Sequence, residues 1–165
     1  MKLAIFPLGN HGDKYERTRH NAARIVMQAV NVHYDTPNIE IITPDTFMNE
    51  SGAYISRYMR YHESMIPVIV YDDKDLIYGD VRLSYGNSSG GHNGVQSVID
   101  HIGLDFYRIR IGIGQPNLMP IHGAGVVQSY VMGNITNDEA YILKSKDLTD
   151  KVKSLLDEIK LKSTS

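Results

Sequence analysis

The sequence predicts an α/β fold: a mixed, mostly parallel sheet surrounded by helices. Three observations carry this. A short apolar run at the N-terminus ends in a glycine loop and is followed by apolar residues at helical spacing. The same strand-then-helix pattern recurs directly after it. Residues 67–71, Pro-Val-Ile-Val-Tyr, are continuous and β-branched, as expected of a strand buried on both faces of a parallel sheet.

In chain order, residues 2–8 are the first strand, and Ala22, Ile25, Val26 and Val30 share one face of the helix that follows. Residues 39–42 give a second strand, closed by Thr43-Pro44, and 51–62 a second helix with Ile55, Tyr58 and Met59 on its apolar face. The 67–71 strand is expected at the sheet centre, ending at Asp72-Asp73. Residues 81–85 alternate and read as an edgeward strand, and 86–91 are loop by composition. His92-Asn93-Gly94 opens a helix whose stripe is Val95, Val98, Ile99 and Ile102.

Residues 107–114 alternate again, with Arg108 and Arg110 on one face and isoleucines on the other, so these arginines must leave the core or bind something. A lid loop is expected over about 115–125, where prolines and glycines interrupt any period and His122 is the one group able to carry positive charge. Thr136 with Glu139 reads as a capping box opening a C-terminal helix over about 137–161, and 162–165 as a frayed polar tail.

With 165 residues and 42% hydrophobic content, the chain is expected to be a single domain, 1–165, around one core. It has no cysteine, which removes disulfides, thiolate zinc sites and cysteine nucleophiles and suits a reducing compartment. The N-terminal apolar run is far shorter than the ~20 residues a membrane span needs, so a cytoplasmic protein with no membrane partner is expected. A net charge of −2 gives no global pull on nucleic acid, so a polyanion would need a local cluster of Arg and Lys. By composition alone a small-molecule ligand is favoured. The glycine-rich stretch before His92 has neither the Lys-Ser/Thr ending of a P-loop nor dinucleotide-binding spacing.

A hydrolase without cysteine or metal can use a histidine as general base towards water, a carboxylate to hold its tautomer, and amides to bind the carbonyl. His20, Asp72 and the carboxamides of Asn10, Asn49 and Asn93 supply such a set. Each also has a plain structural reading: His20 as a surface residue at a helix start, Asp72 as a strand terminator, His92 as a phosphate ligand or simple loop residue. His20, His92 and Asp72 could form a metal site, but no pair has i, i+4 spacing, and no metal is expected.

These residues sit in runs that carry a resemblance. Leu8-Gly9-Asn10-His11-Gly12 with Tyr15, Thr18-Arg19-His20-Asn21, and Thr46-Phe47-Met48-Asn49-Glu50-Ser51-Gly52 come first. Asp72-Asp73-Lys74-Asp75-Leu76 with Gly79, Gly90-Gly91-His92-Asn93-Gly94, and 108–116 follow in order. Together they resemble bacterial peptidyl-tRNA hydrolase, in register from the first strand to at least Gly133. The resemblance implies hydrolysis of the ester joining peptide to tRNA, releasing tRNA for reuse in translation, by a cytoplasmic monomer that needs no metal or other cofactor. It implies His20 as catalytic base and Asp72 as its partner. Substrate-binding roles fall on Asn10, Asn49 and Asn93, on Met48 lining the cleft, on His92 near the peptide channel, and on Tyr15, Asn21 and Arg110.

There are departures. Pro7 and His11 stand where the family usually has glycine and proline, and Tyr71 where a histidine is common. Ser84 occupies the place of a basic residue that, with the counterpart of Arg110, clamps the tRNA 5′-phosphate, and the lid is poor in lysine and arginine. Two other functions remain open on these residues: a noncatalytic RNA- or protein-binding relative, and an esterase of smaller N-blocked aminoacyl-nucleoside esters. Joint retention of a base, its acid and the amides speaks against the first, and the weak cationic surface favours the second.

Overall fold

Parallel pairing through the middle of one sheet sets the architecture. In the computed structural model, which describes residues 1–33 and 36–165, the strands are β1 (Lys2–Pro7), β2 (Ile39–Ile41), β3 (Met65–Ile77), β4 (Val81–Tyr85) and β5 (Tyr107–Gly114). Among the described residues they form one sheet in the order β2-β1-β3-β5-β4, parallel except for β4, which runs antiparallel to β5 at the edge. The apolar 67–71 run lies in β3, the central strand, as its buried character requires.

Alternation within the strands divides the core. Leu3, Ile5, Val68, Val70, Ile109, Ile111 and Ile113 face helices α1 (Ala22–His33) and α6 (Lys146–Ser163). Ala4, Phe6, Ile69 and Tyr71 face α2 (Ser51–Arg60) and α3 (Asn93–Ile102). Each fully buried Leu, Ile, Val or Phe among them contributes roughly 1.5–3 kcal/mol. Helices α2 and α3 touch backbone to backbone: a Cβ on Gly52 would lie 1.9 Å from the carbonyl oxygen of Ser97, and the Gly52 N–H donates to the Ser97 hydroxyl at 3.0 Å.

The structure departs from the sequence expectation in four places. β3 does not end at Asp72-Asp73: its pairing with β5 runs through Asp73, then shifts register and resumes at Ile77 opposite Gly114. The apolar run stops at Tyr71, but backbone pairing does not need apolar side chains. A helix absent from the expectation, α4 (Ala124–Met132), begins inside the proposed lid span; Val126 on it is exposed and Val131 buried. Where one C-terminal helix is expected there are two, α5 (Asn137–Leu143) and α6, because the Ser145 hydroxyl accepts from the Leu148 N–H at 3.2 Å and starts a new helix. α6 runs on to Ser163, into the stretch expected to fray.

Candidate active site

The chain leaves β1 towards β2 on one side and returns to β3 on the other, so the carboxyl ends of β1 and β3 border a crevice where the winding reverses. Open α/β sheets bind ligands at such points. The loop after β1 brings Asn10, the short 3₁₀ turn Arg19–Asn21 brings His20 just ahead of α1, β3 supplies Asp72, and the start of α3 supplies His92. The His20 turn, β3 and the start of α3 border a cavity of about 450 Å³, lined by His20, Asp72, His92, Asn93, Ser84 and Arg110 among others, whereas Asn10 and Asn21 line a separate groove.

Asp72 is almost wholly buried and holds a histidine with each carboxylate oxygen. Its Oδ2 lies 2.7 Å from Nδ1 of His20, and its Oδ1 lies 2.8 Å from Nε2 of His92. The second contact fixes a tautomer. His92 Nδ1 accepts the Val95 N–H at 3.2 Å as the N-cap of α3, so the ring proton is on Nε2, facing Asp72. His20 correspondingly donates from Nδ1, and its Nε2 has no hydrogen-bond partner among the described residues. Burial works against a charged imidazole, but the charge and hydrogen bond of Asp72 outweigh it and raise the pKa of His20 above its ordinary 6.5. Burial likewise works against the Asp72 carboxylate, yet His20 and His92 hold its pKa well below the usual carboxylate range.

The three side chains offer ligand atoms within 4.8 Å of one another and could surround a cation. Both oxygens of Asp72 are already engaged by ring nitrogens, so an ion would enter only by displacing the proton in each bond. The arrangement suits proton transfer by His20.

The amides do different jobs. Asn10 is pinned: its N–H donates to Asn21 Oδ1 at 2.8 Å, its carbonyl accepts from Asn21 Nδ2 at 3.0 Å, and its Oδ1 accepts the Met48 N–H at 2.7 Å. This leaves the Asn10 Nδ2 group to donate elsewhere. Asn21, expected to bind substrate, puts both ends of its carboxamide on the Asn10 backbone. Met48 is buried; Asn49 and Asn93 are exposed, Asn93 at the cavity wall. Tyr15 packs edge-on against exposed Phe47, with ring centroids 6.1 Å apart.

The paired arginines of β5 resolve as the alternation required. Arg108 is fully buried, stacked 4.5 Å over the Phe106 ring, and donates to the carbonyls of Ser88 and Asn87, holding the loop that leads to His92. Arg110 donates to Asp73 at 3.0 Å. Ser84 faces the same cavity, with its hydroxyl oxygen buried and without a hydrogen-bond partner among the described residues.

Sequence reasoning missed Glu139. Its N–H does complete the expected cap on Thr136 at 3.1 Å, but its carboxylate receives Arg19 in two bonds, at 3.0 and 3.2 Å, together with Tyr78 and Gln115. It thereby ties the residue beside His20 to the start of the proposed lid. The available signal was Arg19 itself, a cation next to a buried histidine and in need of a partner.

Comparisons with known proteins point to one family. The family described as Peptidyl-tRNA hydrolase matches residues 4–164. Peptidyl-tRNA hydrolase of Listeria monocytogenes is 39% identical over 173 residues, covering 89% of each chain. That of Oceanobacillus iheyensis is 36% identical over 180 residues, covering 96% of this chain and 90% of its own. Among solved structures, peptidyl-tRNA hydrolase from Acinetobacter baumannii superimposes with a TM-score of 0.78 at 28% identity, covering 98% of this chain and 91% of that one.

Proposed function

The chain belongs to the peptidyl-tRNA hydrolase family, and on that premise we propose that it hydrolyses the ester between peptide and tRNA with His20 as general base and Asp72 as its orienting partner. The observation that supports this most is the 2.7 Å contact from His20 Nδ1 to Asp72, which leaves Nε2 of a cavity-lining imidazole free to face water. Nε2 takes a proton from that water as its oxygen bonds to the ester carbonyl carbon. The resulting oxyanion meets amide donors, the Asn10 Nδ2 group first, with Asn49 and Asn93 at the rim. Collapse breaks the bond to the terminal ribose oxygen, which takes the proton back from His20, and free tRNA and peptide leave.

In this reading His92 keeps Asp72 ionised and aligned, Met48 and Tyr15 shape the cleft, and Arg110 meets substrate phosphate. The segment about 115–125 closes over the cleft as a lid. The whole chain acts as one domain, a monomer working in the cytoplasm, where peptidyl-tRNA arises, with no cofactor. Among the described residues no helix is long and apolar enough to cross a membrane.

The test is turnover of whole peptidyl-tRNA beside that of a short 3′-terminal fragment carrying the same ester. Faster turnover of the whole substrate is expected. Equal turnover would make the chain an esterase of small N-blocked aminoacyl-nucleosides, and no turnover of either, with retained RNA binding, would make it a noncatalytic relative.

A further inference from the structure

Asn10 and Asn21 line a second groove, of about 380 Å³, that shares no lining residue with the His20 cavity. Arg17, Arg24 and Lys144 line it, with Gln28 and Asn10. Glu16 is the one carboxylate on its wall among the described residues. Three cations therefore face one acid. The catalytic cavity has the opposite balance, with Lys74 and Arg110 against Asp72, Asp73 and Asp75, and Arg110 is already held by Asp73.

Arg24 marks the groove as built for an anion. Its guanidinium donates to two backbone carbonyls, Pro44 at 2.7 Å and Pro7 at 3.4 Å, and to no carboxylate among the described residues. Desolvation lowers its pKa, with only partial compensation from the charge of Asp45. The backbone makes room for it: a Cβ on Gly9 would stand 2.7 Å from Arg24 Nε and 2.9 Å from Asn21 Oδ1. A cation held by neutral carbonyls keeps its charge available to a ligand, whereas one paired with carboxylate does not. Arg17 and Lys144 are exposed, and their side chains are likewise free of acceptors among the described residues.

We propose that this groove binds backbone phosphate of the substrate RNA, at a place separate from the cavity of Ser84 and Arg110. The inference rests on the reading that the substrate is peptidyl-tRNA. It gives this chain the local cationic cluster that its net charge of −2 demands of any polyanion binder. A phosphodiester lying across Arg24 would be adjacent to Asn10, whose free Nδ2 group serves the ester.

The experiment is binding of deacylated tRNA at several salt concentrations to wild type, to the double variant Arg17→Gln/Lys144→Gln, and to Lys74→Gln as a cation of the other cavity. Both residues of the double variant are exposed, and its melting temperature checks the fold. Removing one phosphate-binding cation lowers the slope of log affinity against log salt by about 0.7–0.9. The double variant is therefore expected to flatten the slope by about 1.5 and to bind tRNA at least several-fold more weakly at low salt, with a smaller change for Lys74→Gln. A slope and affinity equal to wild type in the double variant overturn the proposal. So does displacement of Gln28 and Asn10 side-chain resonances by inorganic phosphate that tRNA does not compete away, which would make this a free-anion site. Hydrolysis by wild type is measured separately, so failure of the groove and failure of the esterase reading give different results.

Discussion

Asp72 Oδ2 and His20 Nδ1 lie 2.7 Å apart although 52 residues separate them in sequence. Because the other oxygen of Asp72 holds His92, the carboxylate has little freedom to rotate. It raises the pKa of His20, and this sets the pH response. The base works as neutral imidazole, so activity falls as pH drops through a value above 6.5. A rate profile flat from pH 5 to 8 would contradict this.

Asp72→Asn removes the charge that holds the pKa of His20 up. With burial then dominant, that pKa falls, so kcat drops while the acid limb moves to lower pH. The expected loss in kcat is smaller than for removal of the base, and the profile of kcat/KM against pH reads both effects. An unchanged acid limb would mean that the pair does not couple.

His92 has two separable tasks. His92→Asn keeps an acceptor for the Val95 N–H and gives up the donor to Asp72; His92→Ala gives up both. The alanine variant should be less stable than the asparagine variant by about 1 kcal/mol, the usual worth of an N-cap, as urea unfolding would show. In both, Asp72 is left with one donor fewer and attracts the His20 proton more strongly, so the acid limb should move to higher pH. Equal stability of the two variants would rule out the cap.

Ser84 lines the same cavity as Arg110, so it does not turn to solvent away from it. Ser84→Lys should add a phosphate contact and steepen the salt slope for tRNA binding by about 0.7–0.9. Binding of tRNA with and without its 5′-phosphate reads this. Strong discrimination by wild type would show that a complete clamp is already present.

Gly52→Ala tests the packing of α2 on α3. With its Cβ driven to 1.9 Å from a backbone oxygen, the helices must separate, costing about 1–3 kcal/mol or more. Unchanged stability in urea would show that the two helices part freely.

The sheet was legible because its strands are apolar on one or both faces: the 67–71 run and the alternation of 81–85 and 107–114 locate β3, β4 and β5 directly. The C-terminal part of β3 was hidden because residues 72–76 are mostly polar, their pairing being a backbone property. The break at Ser145 was hidden because the apolar stripe runs on through it. Within the site, residue types and motif order brought out His20, Asp72 and His92. The resemblance implies that Asp72 partners His20, but nothing in the sequence says that the same aspartate also holds His92. Glu139 shows the same limit, its partner Arg19 lying 120 residues away in sequence until the fold brings the two together. The groove of Arg17, Arg24 and Lys144 gathers cations from three separate segments, which a linear reading does not join.

The most direct test of His20 as the base is single-turnover hydrolysis of peptidyl-tRNA by His20→Ala at saturating enzyme, beside wild type, with melting temperatures compared to check the fold. A positioned general base contributes about 10²–10⁴-fold, and removing His20 should cost at least that. A decrease of this size is predicted, with tRNA binding retained. Turnover within a few-fold of wild type would contradict it, and would take His20, and with it the Asp72 contact, out of the chemistry.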